Sequence, residues 1–341
     1  VSESIRVLAD GGPADGQWDA EALRFGGNMF HSRAWGEACG ALDGEVLYLR
    51  LVRGSHPIGV AVASTQRTRW RPLRRWRDVL TLNTPPALAP DVPRQDAFSA
   101  IEDFARRQGF GVLRISSYAD PRPSDEAVSD PARVRFHPRL EFRVALGPDV
   151  PATLARMNPG HRRNIRKARE LEFEFSENTS LHGALALHAL QEQTFHRRRD
   201  LGNDNAAAWP VESYRRTMAA YLEARAIRFF FASRRGVPLS GIGTLEFGGR
   251  AYYLVGGTSA EGYTCKAVFA LFGYTIERLI GQGCSELNLG GVGVEVQDER
   301  HVDHGLYRFK AGFGSTVLTL RDVETRLTRW AVPGLAAATP R

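Results

Sequence analysis

The chain has 341 residues, of which 43% are hydrophobic and 24% charged, enough apolar material for one large or two smaller cores and too much for a disordered chain. Its formal net charge of +7 suits a polyanionic partner such as nucleic acid, a nucleotide or a membrane surface. Cys39, Cys265 and Cys284 are widely spaced and never form C-x-x-C, which excludes a disulfide framework or zinc site; with no long apolar run and no signal-like N-terminus, a soluble, cytoplasmic protein is expected.

In chain order, VLYLRLVRGSHPIGVAVAS (46–64) places alternating apolar residues on both sides of Arg53-Gly54, the pattern of two strands joined by a turn in which glycine supplies a positive φ. TQRTRWRPLRRWRD (65–78) then interleaves Trp70 and Trp76 with Arg67, Arg69, Arg71, Arg74, Arg75 and Arg77. Guanidinium groups fork onto phosphates and indoles offer a face to bases, so this run reads equally as an RNA-contacting hairpin or as an edge hairpin with core tryptophans. A helix is expected over DAFSAIEDFARRQG (96–109), then a strand over FGVLRISS (110–117). The Pro-rich stretch PRPSDEAVSDPAR (121–133) reads as a surface loop before a strand at LEFRVALG (140–147).

PGHRRNIRKARELEFEF (159–175) predicts a helix opening near Pro159. Arg162, Arg166 and Arg169 recur at helical spacing, with Arg163 and Lys167 beside them and Ile165 and Ala168 free to face a core. Glu170 and Glu172 offset little of this charge, so the helix reads as an anion-binding face. QTFHRRRDLGND (193–204) ends a helix with three arginines, which the helix dipole accommodates. A second hairpin, AIRFFFASRRGVPLSGIGTLE (226–246), repeats the first: Gly241 follows Arg235-Gly236 as Gly59 follows Arg53-Gly54. Strand 250–259, helix 267–283 and strand 285–291 complete the same order of elements, which points to an internal duplication. The expected division is 1–147 and 148–315, with the last strand, TVLTLRDVE (316–324) in the segment 316–341, returning to the first domain.

Metal-binding H-E-x-x-H spacing, the G-x-S-x-G elbow and the Walker loop are all missing, and GGVGVE (290–295) has no helix behind it to make a dinucleotide fingerprint. What remains is GLYRFKAGFGS (305–315), which reads as buried strand and turn yet carries Lys310 directly after Phe309. An ammonium in apolar surroundings costs several kcal/mol unless paired, so Lys310 is either a snorkelling edge residue or a placed charge.

Together and in order, MFHSRAW (29–35), RRNIRKARE, RAYYLVGGTS, GCSELNLGG and GLYRFKAGFG resemble the Fem-type aminoacyl-tRNA-dependent peptidyltransferases over most of the chain. The resemblance implies an α/β (α+β) fold of two tandem acetyltransferase-like (GNAT) domains, each a mixed sheet flanked by helices. It implies transfer of an amino acid from a charged tRNA to the free amine of a peptide or small molecule, with no cofactor and no metal. Lys310 matches the catalytic lysine and Phe309 its aromatic neighbour, while Arg199, Tyr253 and Trp35 fall on the acceptor side. Arg162, Arg163, Arg166 and Lys167 would meet the tRNA, with Arg74 and Arg75 as further candidates. A protonated Lys310 would stabilise the oxyanion formed when the amine attacks the ester, without need of a histidine base.

One departure bears on the acceptor: WGEACGALDGE (35–45) lacks the lysine that precursor-specific members carry for a nucleotide diphosphate. The expectation shifts from a UDP-linked peptidoglycan precursor to a peptide or small-molecule acceptor in antibiotic biosynthesis. The alternatives are a peptidoglycan bridge transferase, a CoA-dependent GNAT N-acyltransferase, and a non-catalytic RNA-binding protein. CoA chemistry calls for a glycine-rich pyrophosphate loop at a helix N-terminus, where this chain has YTCKAVFALF (263–272).

Overall fold

The computed structural model describes residues 4–10, 12, 17–42, 44–68, 77–120, 133–203 and 207–328. Arg74 and Arg75, with most of the Trp/Arg run, lie outside the described residues, as does nearly all of the 121–133 stretch.

Among the described residues the strands are β1 (Ile5–Asp10), β2 (Val46–Arg53), β3 (His56–Gln66), β4 (Val79–Leu82), β5 (Ala87–Leu88), β6 (Val112–Ile115), β7 (Val134–Ala145), β8 (Glu174–Asn178), β9 (Ile227–Arg234), β10 (Val237–Phe247), β11 (Arg250–Thr258), β12 (Glu286–Gly293) and β13 (Thr316–Arg326). They join in one mixed sheet in the order β1-β2-β3-β4-β6-β13-β7-β12-β11-β10-β9-β8, with β5 paired to β3.

The duplication read from sequence is visible in this order. In the first half the antiparallel β2–β3 hairpin turns at Gly54, whose φ is +61°; in the second, β9–β10 turns at Arg235 and Gly236, at +52° and +74°. Each hairpin leads to a strand, a crossover helix and a parallel partner: β4 to β6 across helix Arg94–Arg107, and β11 to β12 across helix Ala267–Gly281. Parallel neighbours need such a crossover, because a tight turn can join only antiparallel strands. The two halves meet where β7 pairs with β12 on one side and β13 on the other, and β13 reaches β6 through Val323–Arg326.

Separate apolar clusters fill the halves. Leu49, Leu80, Ile101 and Phe104 belong to one, and Phe142, Phe230, Leu271, Phe272 and Phe313 to another. Each such side chain, fully buried, contributes roughly 2–3 kcal/mol over exposure. Helix Pro159–Arg169 attaches by Ile165 and Ala168, both buried, which leaves Arg162, Arg163 and Arg166 exposed as the helical spacing predicts. Its start is set by Pro159 in the first turn and by Asn158, whose side chain accepts the His161 N–H at 2.7 Å.

One element differs from the sequence expectation. The segment around Lys310 is a helix, His304–Ala311, rather than strand and turn. Aromatic density suggested a strand, but Tyr307 and Lys310, three apart, turn inward together; Tyr307 packs against Phe142 at 5.7 Å between ring centroids. No helix among the described residues is long and apolar enough to cross a membrane.

Candidate active site

β11 and β12 pair over only Arg250–Tyr252 and Glu286–Asn288. Beyond this, Gly290 takes φ +72° and the register between β12 and β7 shifts, so a gap opens in the sheet. The Lys310 ammonium sits there. A methyl group on Gly290 would lie 3.9 Å from Nζ, and Nζ donates to the Gly291 carbonyl at 3.3 Å. The Phe142 ring is 5.8 Å away, close enough for a weak cation–π attraction.

Lys310 is 7% exposed. Its pKa is lowered to about 8, first by burial and then by nearby Arg139, with Glu141 opposing the fall. The side chain therefore remains mostly protonated at neutral pH while sitting closer to its titration than an ordinary lysine.

The gap opens into a cavity of about 880 Å³. Cations dominate its charged lining among the described residues: Arg163, Arg197, Arg198, Lys266, Arg308 and Lys310, against one carboxylate, Asp303. That carboxylate is already held by Arg198 at 2.5 Å and by Asn203 at 3.1 Å. The guanidinium of Arg197 lies over the Tyr263 ring at 3.4 Å. Lys266 takes a left-handed φ of +62° just before helix Ala267–Gly281 and supplies no side-chain cap. A cavity with this balance favours an anionic ligand.

His161 fixes the lysine helix to the opposite wall. Its Nε2–H donates to the Phe309 carbonyl at 2.9 Å, and Nδ1 lies 3.0 Å from Asn158 Oδ1. Rings of Phe269 and Phe313 meet the imidazole edge-on at 4.9 and 4.7 Å. Burial lowers the pKa of the ring.

The structure brings Lys310, Phe309, Tyr253 and Arg163 to one cavity. Phe309 packs on Phe269, Phe272 and Phe313, and Tyr253 lies 5.7 Å from Phe272 with its phenol pKa raised by burial. Arg162, Arg166 and Lys167 are exposed on the same helix as Arg163 but are not part of the cavity lining; Arg162 donates to the Ala155 carbonyl at 3.0 Å. Arg199 is exposed and outside the lining, because in helix Leu181–Asp200 it is Thr194, Arg197 and Arg198 that turn inward. Trp35 is also outside: it packs edge-on against Phe30 at 4.7 Å, in the core shared with Tyr221.

Sequence reasoning passed over His161, Arg197, Arg198, Lys266 and Asp303. His161 had a signal, since an Asn-Pro-Gly-His start places it in the first helical turn beside a capping asparagine. The others had none, because three separate segments bring them together.

Residues 156–311 match the family model described as an acetyltransferase (GNAT) domain. The crystal structure of FemX aligns with a TM-score of 0.75 at 13% identity, covering 94% of this chain and 97% of that one. L-PGS from Bacillus licheniformis aligns at 0.56 and 15%, covering 94% of each chain. A tandem GNAT protein from the clavulanic acid biosynthesis pathway aligns at 0.52 and 10%, covering 96% of this chain and 100% of that one. No protein of curated function matches the sequence. The chain thus has the tandem GNAT fold in the form seen in FemX.

Proposed function

We propose that the protein is an aminoacyl-tRNA-dependent transferase that joins a tRNA-borne amino acid to the free amine of a peptide or small-molecule acceptor. The observation that carries this reading is the buried Lys310 ammonium, set in the gap between β11 and β12 at the wall of a cation-lined cavity. The likeness to FemX supports it at the level of fold.

In this reaction the acceptor amine attacks the carbonyl carbon of the aminoacyl ester. A C–N bond forms, the ester C–O bond breaks, and the proton lost by the amine ends on the released ribose hydroxyl. Negative charge develops on the carbonyl oxygen in between, and a fixed ammonium in a water-poor site stabilises it far more than one in bulk water. Phe309 and its aromatic neighbours exclude water from that side. Arg163, Arg197, Lys266 and Arg308 would hold phosphates near the tRNA 3′ end, and Arg162, Arg166 and Lys167 would continue the contact outside. The clavulanic acid pathway of one protein with this fold supports a small-molecule acceptor in antibiotic biosynthesis.

A second reading, CoA-dependent N-acyl transfer, is favoured by the GNAT domain match. Against it, residues 263–272 contain no glycine to bring backbone N–H groups onto a pyrophosphate.

The test is incubation with a pool of labelled aminoacyl-tRNAs and a panel of amines, including peptidoglycan precursors, with and without RNase. A parallel arm supplies labelled acetyl-CoA. RNase-sensitive transfer to an amine is expected; transfer that survives RNase, or that proceeds from acetyl-CoA, overturns the reading.

A further inference from the structure

Lys310 is supported from behind by contacts that begin on β7. Glu141 is fully buried, and its carboxylate is saturated. Oε2 accepts from Arg139 at 3.2 Å and from the Ala119 N–H at 3.0 Å; Oε1 accepts from Arg143 at 2.7 and 2.9 Å and from Asn288 Nδ2 at 3.1 Å. The other amide atom of Asn288, Oδ1, accepts the Gly290 N–H at 2.7 Å. That bond fixes the irregular turn of β12, and the next carbonyl along, Gly291, is the acceptor of the Lys310 ammonium. Three hydrogen bonds and one turn of backbone thus connect the carboxylate to the lysine.

The second link is electrostatic. Arg139 is buried and its Nη2 has no hydrogen-bond partner among the described residues. It packs so closely over Gly291 that a Cβ there would fall 1.9 Å from Nη2. A guanidinium therefore lies against the peptide that binds the ammonium, and Glu141 is the carboxylate paired with it. Other titratable groups facing this region are Tyr118, whose ring lies 3.9 Å from the Arg139 guanidinium, Arg143 on β7, Tyr253 on β11, His161 beyond Phe309, and Arg308 on the helix of Lys310; Arg163, Arg197, Arg198, Lys266 and Asp303 share the cavity.

We propose that Glu141 is a positioning residue of the site: it fixes the Gly291 carbonyl that orients the Lys310 ammonium, and it offsets the Arg139 charge that would displace the proton from that ammonium. The proposal rests on Lys310 being the reacting cation only for its meaning in catalysis. The charge relationship itself stands apart from any activity.

The experiment reads Lys310 directly. The intact protein is labelled with trace acetic anhydride across pH 6–11, and the extent at Lys310 is measured by peptide mass spectrometry. Glu141→Gln, which keeps size and removes charge, moves the labelling midpoint down by about one pH unit; Arg139→Gln moves it up by a similar amount. Wild-type midpoints in both folded variants, or shifts of the same sign, overturn the proposal. Should Glu141→Gln fail to fold, Arg139→Gln decides alone, and a wild-type midpoint in that variant is the overturning result. Asn288→Ala changes no charge: it leaves the midpoint in place and lowers kcat for transfer at least tenfold, and an unchanged kcat removes the hydrogen-bonded half of the proposal. Opposite-signed midpoint shifts in a protein that transfers nothing from aminoacyl-tRNA would leave this inference intact and sink the functional reading instead.

Discussion

His161 Nε2 lies 2.9 Å from the carbonyl oxygen of Phe309, so the first turn of helix Pro159–Arg169 holds the residue before Lys310, 148 positions later in the chain. The contact crosses the cavity's edge and leaves the imidazole little room, because a Cβ on Gly312 would sit 2.1 Å from its Cε1. His161→Ala should lower kcat about 10- to 100-fold with little change in KM for the tRNA, since a misplacement of about 1 Å has that effect on an oriented reaction. His161→Gln keeps a donor near the Phe309 carbonyl and should recover much of the rate. Gly312→Ala attacks the same contact from the other side and should resemble His161→Ala. Equal losses in the Ala and Gln variants would show that the hydrogen bond is not what matters.

Removing the ammonium should separate activity from stability. Lys310→Met should reduce transfer by orders of magnitude while leaving tRNA binding nearly intact, because the oxyanion loses its fixed charge. The same substitution should stabilise the fold at pH 7 by on the order of 2–3 kcal/mol, since a buried lysine whose pKa is lowered to about 8 is held charged at a cost. The sign follows from proton counting. Between the folded value near 8 and the unfolded value of 10.5 the unfolded chain binds more protons, so wild-type stability rises with pH. The advantage of Lys310→Met should therefore shrink between pH 8 and 10, which urea melts at several pH values will show. A constant difference, or a less stable mutant, would mean that Lys310 is not a desolvated cation.

A different buried group governs the acid side. His31 lies between two fixed partners: Nδ1 accepts the Asn28 N–H at 3.0 Å and Nε2–H donates to the Pro85 carbonyl at 2.8 Å. Burial is the main reason its pKa falls to about 4. The neutral ring is therefore stabilising at neutral pH, and that contribution is lost as pH drops from 6.5 towards 4, where the unfolded chain takes up the proton first. Wild type should lose about 3 kcal/mol from this group between pH 7 and pH 4. In His31→Gln, denaturant midpoints should show a smaller loss over the same range; an identical pH slope would remove His31 as the cause.

Much of this architecture is written locally. The Arg-Gly turns at 53–54 and 235–236 and the exposure of Arg162, Arg163 and Arg166 on helix Pro159–Arg169 follow from residue types at short range. What local pattern does not carry is the meeting of distant segments. Glu141 on β7 and Asn288 on β12 touch because the strands pair in a shifted register, and nothing near either residue announces the other. Lys310 stood out as a charge among aromatics, but its helix was hidden because the inward face of that helix holds a lysine where a hydrophobic residue is expected. Arg199 and Arg198 are adjacent in sequence, and only the rotation of their helix decides which of them reaches the cavity.

The exposed face of helix Pro159–Arg169 gives the last prediction. Arg163 lines the cavity and Lys167, one turn further, is exposed on the same stripe. Phosphates bound by such residues release condensed counterions, so the affinity for tRNA should fall steeply with salt. Arg163→Glu combined with Lys167→Glu removes two cations from the stripe without touching the buried Ile165 and Ala168. Arg162 is a poorer choice, because its hydrogen bond to the Ala155 carbonyl ties the helix to the preceding turn. The double variant should bind tRNA at least tenfold more weakly at low salt, and the slope of log K against log salt should become shallower by about one to two. Filter binding between 50 and 200 mM salt, with melting temperature as the folding control, decides the matter. A folded double variant with the wild-type slope would place the tRNA on another face of the protein.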